Sequence, residues 1–398
     1  MIVHVVAACA AASVNAQPVS YDFSVVTDLA RGAIEGRNVA TPVPGFDLLL
    51  MKDGRTVYHE SFGDWSLNRV ANADSATKTL SAALILSLTE SSAQPFSLSS
   101  RLVDFIPQFN GAKAGITIAQ CFSHTSGLYA QSLAVGDASI TLQEAARRIA
   151  AAPLRDAPGS VFLYGGVSMH AAGAAAEAAG SQPWNTLFLN RIRAPLGLVR
   201  TRFVLTSPDN PRIAGGCEST AEEFARFMEM LRRGGLHGNT RILSEASVAA
   251  MFTRQPPIGI PIAGSPLDGS ADYGVGVWLD QRDTLGGLTG ALAAGARGFS
   301  SWIDFDDGMV GVFATDTTSS GNIQPLLYQI RAAAEAAIRH PLPCFSDFNQ
   351  DGGIDGDDVI AFFAAWELGG DDADVNADGG VDGMDIAAFF ARWELGVC

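Results

Sequence analysis

The sequence has little positive charge. Its 398 residues contain 26 Lys and Arg against 42 Asp and Glu, a formal net charge of −16, and only 17% are charged. A nucleic-acid-binding surface needs a basic patch, so this composition argues against nucleic acid as a partner. The hydrophobic content of 47% excludes an intrinsically disordered chain. At about 150 residues per domain, the length predicts two or three domains.

Long apolar runs are also scarce. One run, within residues 1–16, ends in Val14-Asn15-Ala16 and predicts a secretory signal peptide that is cleaved before Gln17. A buried first strand or helix is the alternative interpretation of this run. No other run reaches the ~20 residues that span a bilayer. We therefore expect a secreted or periplasmic protein without a membrane span.

Cysteine is rare, with five residues in the chain. Cys9 lies in the predicted leader, which leaves Cys121, Cys217, Cys344 and Cys398. An even number in an exported protein suggests disulfides, with three possible connectivities. Because Cys344 and Cys398 bracket an acidic segment, we predict that they pair and that Cys121 pairs with Cys217. Four buried thiols are the alternative.

The negative charge is concentrated at the C-terminus. Residues 344–398 carry a net charge of −12, which leaves −4 for the other 343 residues. This segment is an internal repeat, since 16 of 23 positions are identical between residues 347–369 and 374–396. Each copy opens with D-x-N-x-D-G-x-x-D-x-x-D, the oxygen-rich spacing of an EF-hand-type calcium loop.

Each loop predicts one Ca²⁺ ion held by five side chains and one glycine carbonyl. The predicted ligands are Asp347, Asn349, Asp351, Gly353, Asp355 and Asp358 in the first loop, and Asp374, Asn376, Asp378, Gly380, Asp382 and Asp385 in the second. Because carboxylates at this density repel one another without metal, we expect folding of the segment to depend on calcium. One amphipathic helix follows each loop, at residues 359–366 and 386–393, and no helix is evident before it.

This combination resembles dockerin modules. The resemblance covers the whole C-terminal segment and implies a small helical domain with two calcium loops and a possible cohesin-like protein partner. A module that only stabilises the C-terminus and a solvated acidic spacer are the alternatives. Residues 341–343 predict a short, stiff linker between this domain, 344–398, and a larger domain, 17–340.

The larger domain alternates strand-like and helical segments, which predicts an α/β pattern. Ser75 and Lys78 form an S-x-x-K string, one helical turn apart, ahead of an apolar helix. A serine hydroxyl is a poor nucleophile unless a nearby base accepts its proton, and a desolvated lysine can do so. A helix N-terminus also offers an N–H group to an oxyanion. By itself the string fits an N-cap serine and a surface lysine better.

The later strings change that interpretation. H-T-S-G-L at 124–128, P-G-S-V-F-L-Y at 158–164 and A-G-G at 214–216 follow in an order that resembles the serine hydrolases related to class C β-lactamases, DD-peptidases and esterases, over about residues 40–335. The resemblance implies an antiparallel sheet flanked by helices, a helical lobe, and a site between them that uses no cofactor for catalysis.

The resemblance also implies the roles of individual residues. Ser75 would be acylated, and Lys78 and Tyr164 would together move its proton. The backbone N–H of Ala296 would complete an oxyanion hole with that of Ser75. His124 would belong to the scaffold rather than act as a base.

Two positions depart from the family pattern. Gly166 stands where the tyrosine motif usually carries Asn, and neither candidate for the third motif, Gly295–Gly298 (preferred) or Leu288–Ala291, has the Lys or His of K-T-G or H-x-G. Arg297 either supplies that charge or is an exposed loop side chain. We therefore expect hydrolysis of a small ester, an amide or a peptide. A β-lactamase or DD-peptidase and a catalytically idle binding protein are the alternatives.

Overall fold

A computed structural model of the chain describes residues 20–267, 269–317, 321, 323–342, 344–351 and 353–395. The predicted signal peptide and Cys398 lie outside the described residues. The chain divides into two compact units, Val25–Glu335 and a second formed by Met1–Ser24 with Ala336–Cys398. Within the described ranges, no helix is both long and apolar enough to cross a membrane.

The bounds of the regular elements are as follows. The helices are α1 Ser24–Glu35, α2 Thr77–Glu90, α3 Ile118–Phe122, α4 Leu142–Ala151, α5 Val167–Gly180, α6 Trp184–Phe188, α7 Ala221–Arg232, α8 Glu245–Met251, α9 Gln324–Arg339, α10 Gly356–Glu367 and α11 Gly383–Trp393. The strands are β1 Gly45–Lys52, β2 Arg55–Gly63, β3 Ala71–Asn72, β4 Phe162–Leu163, β5 Arg202–Phe203, β6 Cys217–Ser219, β7 Leu236–His237, β8 Thr240–Arg241, β9 Ile262–Gly264, β10 Trp278–Arg282, β11 Leu288–Ala294, β12 Ser300–Asp304 and β13 Met309–Ala314.

The larger unit is built on one antiparallel sheet of order β10-β11-β12-β13-β1-β2. The early strand β1 pairs with the late strand β13, with Leu49 opposite Val312. Every residue of β12 and β13 is buried, and α7 packs across β12, β13 and β1. The expected antiparallel sheet flanked by helices is confirmed.

The helix α2, which contains the lysine of the S-x-x-K string, is almost entirely buried. All residues of α2 from Thr77 to Leu88 are buried, and α2 packs against α5 and α8. Its neighbour α5 is rich in alanine and glycine, and a Cβ at Gly173 would lie 2.6 Å from Ile213. Small side chains therefore allow close packing around the helix that begins at the candidate site.

The second unit contains the two repeats. Its helices α10 and α11 pack through Phe362 and Phe389, whose rings stack with their centroids 4.2 Å apart. Trp366 Nε1 donates to the Asp382 carbonyl of the second loop at 2.8 Å, and Trp393 Nε1 makes the equivalent bond to the first loop at 2.9 Å. Each helix thus contacts the loop of the other repeat, so the two copies form one core.

The helices of the second unit begin three residues earlier than the apolar pattern predicts. Asp355 and Asp382 are N-cap residues, and each forms a capping box with the Asp three positions later, Asp358 or Asp385. The last residues of each predicted calcium loop are therefore already helical. The sequence pattern missed this because capping residues are polar and carry no apolar periodicity.

The predicted Cys121–Cys217 disulfide is wrong, because both residues are free, buried thiols. Cys121 lies in α3, where its carbonyl accepts a bond from Ser168, whereas Cys217 lies on β6, between β3 and β5. Burial raises the pKa of both thiols above the ordinary range, so they behave as small core side chains. Cys344 is disulfide-bonded, and its expected partner Cys398 lies outside the described residues.

The fully buried side chain of Trp302 on β12 occupies the space above Gly311, its partner on β13. A Cβ at residue 311 would lie 2.0 Å from the Trp302 ring. We predict that Gly311→Ala lowers the free energy of unfolding by about 3 kcal/mol in urea denaturation, because the sheet core cannot yield to an added methyl group. The control is Gly115→Ala, where an added Cβ meets nothing within 4 Å. Equal losses in the two variants would contradict the prediction.

Candidate active site

Ser75 and Lys78 are in direct contact at the start of α2. Ser75 lies in a single 3-10 turn, Asp74–Ala76, that runs into the helix. Lys78 Nζ donates to Ser75 Oγ at 2.8 Å and to the Ala214 carbonyl at 2.9 Å. The lysine is 3% exposed, so its amine is held among protein groups rather than in water. The serine and the lysine thus have the geometry of a nucleophile and its proton acceptor.

Tyr164 completes the surroundings of this amine. It follows the short strand β4, and its backbone N–H donates to Gly264 of β9 at 3.0 Å. Lys78 Nζ lies over the Tyr164 ring, 4.6 Å from its centroid, a cation–π contact. The same ring stacks on Trp278, with the two ring centroids 5.4 Å apart and an interplanar angle of 18°. The three residues of the predicted proton path are therefore brought together.

His124 lies behind Tyr164, with their ring centroids 4.4 Å apart. It is buried, and its Nδ1 accepts a bond from the Gly165 N–H at 3.4 Å. Burial first, and the Lys78 charge second, hold the pKa of His124 well below its usual 6.5. A neutral imidazole enclosed by aromatic rings fits a scaffold role better than that of a base.

Ala296 lies in the turn between β11 and β12 and lines the same two cavities as Ser75. The N–H groups on either side of it are bonded, since Gly295 donates to Phe299 at 2.7 Å and Arg297 donates to Asp74 Oδ2 at 3.2 Å. The Ala296 N–H carries no such bond to any residue that the structure describes. This is the N–H group that the sequence predicts for the oxyanion hole. The alternative third motif, residues 288–291, is part of the β11 ladder instead.

Arg297 is neither an exposed loop side chain nor a free cation. Its Nε and Nη2 each donate to an oxygen of the Asp74 carboxylate at 2.9 Å, and its Nη1 lies 3.0 Å from Asp316. Two carboxylates therefore neutralise the guanidinium. The ion pairs tie the turn that holds Ala296 to the residue that precedes the nucleophile.

Gly166 is the N-cap residue of α5 and lines the cavity beside Lys78. A Cβ at this position would lie 3.2 Å from the Ala214 Cβ, so a larger side chain would press against that segment. Lys78 donates instead to the Ala214 carbonyl at 2.9 Å. The departure from the usual motif therefore leaves the lysine with an acceptor.

Two cavities meet at Ser75. The first, of about 160 Å³, is mostly apolar, with walls from Tyr164, Trp278, Leu292 and Leu327, and no charged side chain lines it among the described residues. The second, of about 530 Å³, is wider and more polar. Lys78, Asp74 and Arg212 are its charged residues within the described part of the chain. A substrate bound at Ser75 would have different surroundings on its two sides.

The sheet, the S-x-x-K pair and the adjoining tyrosine are those of a β-lactamase- and transpeptidase-like fold. The chain belongs to the β-lactamase family, whose model matches residues 30–335. No curated protein sequence matches the chain.

Three solved structures illustrate the similarity. A protein from Bacteroides dorei that is assigned to the β-lactamases is 26% identical, with a TM-score of 0.70 over 81% of this chain and 100% of that chain. A penicillin-binding protein homologue from Caulobacter crescentus is 18% identical, with a TM-score of 0.64 over 80% and 98%. A family VIII carboxylesterase is 18% identical, with a TM-score of 0.62 over 81% and 99%.

Three residues at the site were not identified from the sequence. Trp278 stacks on Tyr164, Asp74 holds Arg297, and Arg212 lines the second cavity. Asp74 could have been noted because it precedes the S-x-x-K serine, and Arg212 because it stands two residues before the A-G-G string. For Trp278 no local pattern gives a signal, since only the sheet brings β10 to the tyrosine.

Two buried histidines make stability depend on pH. Burial lowers the pKa of His170 to about 4, and His124 is likewise neutral in the folded chain, whereas both would titrate near 6.5 when unfolded. Because only the unfolded chain gains these protons below pH 6.5, the stability they contribute is present above that pH and is lost as pH falls toward 4. We predict a slope of up to about 1.4 kcal/mol per pH unit from each histidine.

The matched variants are His170→Gln and His340→Gln, measured by urea denaturation between pH 7 and 4. His170→Gln should remove about half of that slope, because the neutral amide cannot titrate. His340 is exposed, so its variant should keep the wild-type slope. Identical slopes in all three proteins would contradict the assignment.

Proposed function

We propose that the larger unit is an exported serine hydrolase that cleaves an ester or amide bond through an acyl-enzyme on Ser75. The observation that carries this proposal is the contact between Lys78 Nζ and Ser75 Oγ, which is 2.8 Å long, with the lysine buried and the serine half-buried at the two cavities. Family membership supports a hydrolase, and the carboxylesterase among the similar structures supports an ester as one substrate class.

In the proposed reaction, Ser75 Oγ attacks the substrate carbonyl carbon while its proton passes to Lys78, with the Tyr164 hydroxyl as the partner in proton transfer. The oxygen that becomes negative accepts bonds from the N–H groups of Ser75 and Ala296. The leaving group takes up the proton and departs. A water molecule then attacks the acyl carbon, gives its proton to the same groups and releases the acid and the free serine.

The ion pairs of Arg297 argue against a β-lactam as the substrate. A β-lactam carboxylate would need a free cation at the third motif, and here Asp74 and Asp316 occupy the guanidinium. The adjoining apolar cavity suits an uncharged group of moderate size. We therefore favour esterase or amidase activity over β-lactamase activity.

A fluorophosphonate probe tests the nucleophile, because attack by a serine oxygen on phosphorus expels fluoride and leaves a stable adduct. We predict labelling of the wild type and at least a 100-fold loss of labelling and of p-nitrophenyl ester turnover in Ser75→Ala, read by mass spectrometry and absorbance. Ser66→Ala, at an exposed serine, is the control and should behave as the wild type. Undiminished labelling of Ser75→Ala would overturn the proposal. A clear preference for a cephalosporin over the ester would overturn the proposed substrate class.

We also propose that residues 344–398 are a dockerin-like module with two calcium sites and a cohesin-like partner. In the first loop, the Asp351 N–H donates to both Asp347 Oδ1 and Asn349 Oδ1, at 3.1 and 2.9 Å, which brings the oxygens of positions 1 and 3 together. The second loop repeats this with Asp378 as the donor, at 3.1 and 2.8 Å. These are hard oxygen donors of the kind that Ca²⁺ prefers.

The described side chains of the two loops do not form a complete set of calcium ligands. Within the described residues, no three His, Cys, Asp or Glu side chains form a metal-binding group. The proposal therefore depends on the donor chemistry and on the equivalence of the loops. Calcium would supply charge neutralisation to the carboxylates of each loop.

Calorimetric titration of the full chain with Ca²⁺ tests this proposal. We predict two bound ions for the wild type, one for Asp347→Ala and one for Asp374→Ala, because each substitution removes the first ligand of one loop. Asp371→Ala lies outside both loops and should keep two ions. Binding of no ion by the wild type, or of two ions by every variant, would refute the calcium sites.

A further inference from the structure

We propose that Arg212 binds a carboxylate of the substrate in the second cavity. The inference rests on the proposed hydrolase function and specifies its substrate class. The scissile carbonyl would lie at Ser75 with an uncharged apolar group in the first cavity and an anionic group in the second. The anion would thus be bound by a residue outside the three catalytic motifs.

Among the described residues, the guanidinium of Arg212 has no acceptor. It lines the cavity that Ser75, Lys78 and Ala296 also line, and its Nε is buried without a hydrogen-bond partner in the described part of the chain. No ion pair or side-chain hydrogen bond of this residue exists within that part. Only its backbone is bonded, with the N–H donating to Leu205 O at 2.6 Å.

This lack of a partner distinguishes Arg212 from similar residues. The other described arginines that are partly or fully buried all donate to carboxylates or carbonyls; these are Arg191, Arg193, Arg226, Arg232, Arg254, Arg297, Arg331 and Arg392. A partly buried donor without an acceptor costs free energy in the folded chain. The terminal nitrogens Nη1 and Nη2 are not enclosed as Nε is, so a ligand oxygen in the cavity would meet the guanidinium at these atoms.

The charges around the second cavity favour an anion. Its carboxylate, Asp74, is already held by two side-chain bonds from Arg297, so it does not neutralise the Arg212 guanidinium. His170, whose pKa is lowered to about 4 by burial first and by the Arg212 charge second, is neutral near pH 7. An arginine fork fits the two oxygens of a carboxylate in particular.

Two pairs of isosteric esters test the proposal on either side of the scissile bond. The first pair is 4-(butyryloxy)benzoate and 4-(butyryloxy)benzamide, and the second is the 4-nitrophenyl monoesters of adipic acid and adipamic acid. In the wild type, kcat/KM should favour the charged member of at least one pair by about tenfold or more, as expected for a charge-assisted bond. Arg212→Gln should lower that ratio about tenfold, and Arg212→Lys should keep part of it.

The control Arg233→Gln changes an exposed arginine and should keep the wild-type ratio. Ratios near one in the wild type for both pairs, or a ratio that Arg212→Gln leaves unchanged, would overturn the proposal while Ser75-dependent turnover still stood. If Ser75→Ala turned the esters over as fast as the wild type, the hydrolase function itself would fail. In that case the carboxylate site is tested by calorimetric Kd values for both members of each pair, measured with Ser75→Ala and with the double variant Ser75→Ala, Arg212→Gln. Equal Kd values in the two proteins would overturn the site. A weaker Kd in the double variant for the charged member alone would support it.

Discussion

The position of one amine, Lys78 Nζ, determines the arrangement of the candidate site. It contacts Ser75 Oγ, the Ala214 carbonyl and the Tyr164 ring, which come from three segments far apart in the sequence. A buried amine costs free energy unless its donors are used, so these contacts constrain the start of α2, the A-G-G segment and the strand before Tyr164 together. The fully buried helix α2 provides the rigid element that such a site needs.

A second set of charged residues holds the turn between β11 and β12, which carries Ala296. The pairing of Arg297 with Asp74 and Asp316 fixes the turn that carries Ala296 relative to Ser75. The same pairing removes Arg297 as a cation for substrates, so one side chain cannot both brace the turn and bind an anion. Any anion recognition at this site must then come from elsewhere, and Arg212 is the cation left in the adjoining cavity.

A contact could be predicted from the sequence where its residues are close along the chain, and not where they are far apart. The S-x-x-K pair is local, because helical geometry alone places Lys78 one turn from Ser75. Arg297 and Asp74 are 223 residues apart, so their pairing depends on the sheet order and has no local signal. The disulfide prediction for Cys121 and Cys217 failed because an even number of cysteines carries no information about burial. The antiparallel sheet was predictable only through the ordered family motifs.

In the second unit, the aspartate at the last position of each predicted loop caps a helix and would also be a calcium ligand. Each carboxylate oxygen of Asp358 accepts a backbone N–H, from Asn349 at 3.2 Å and Asp355 at 2.8 Å, and Asp385 repeats this in the second copy. These bonds begin the helices, while a carboxylate oxygen retains further lone pairs for a cation. Under the proposed calcium binding, removal of the ion would leave the carboxylates of each loop without neutralisation, and the segment would lose order. The loss of order would be greatest in the loops, where the acidic side chains repel one another.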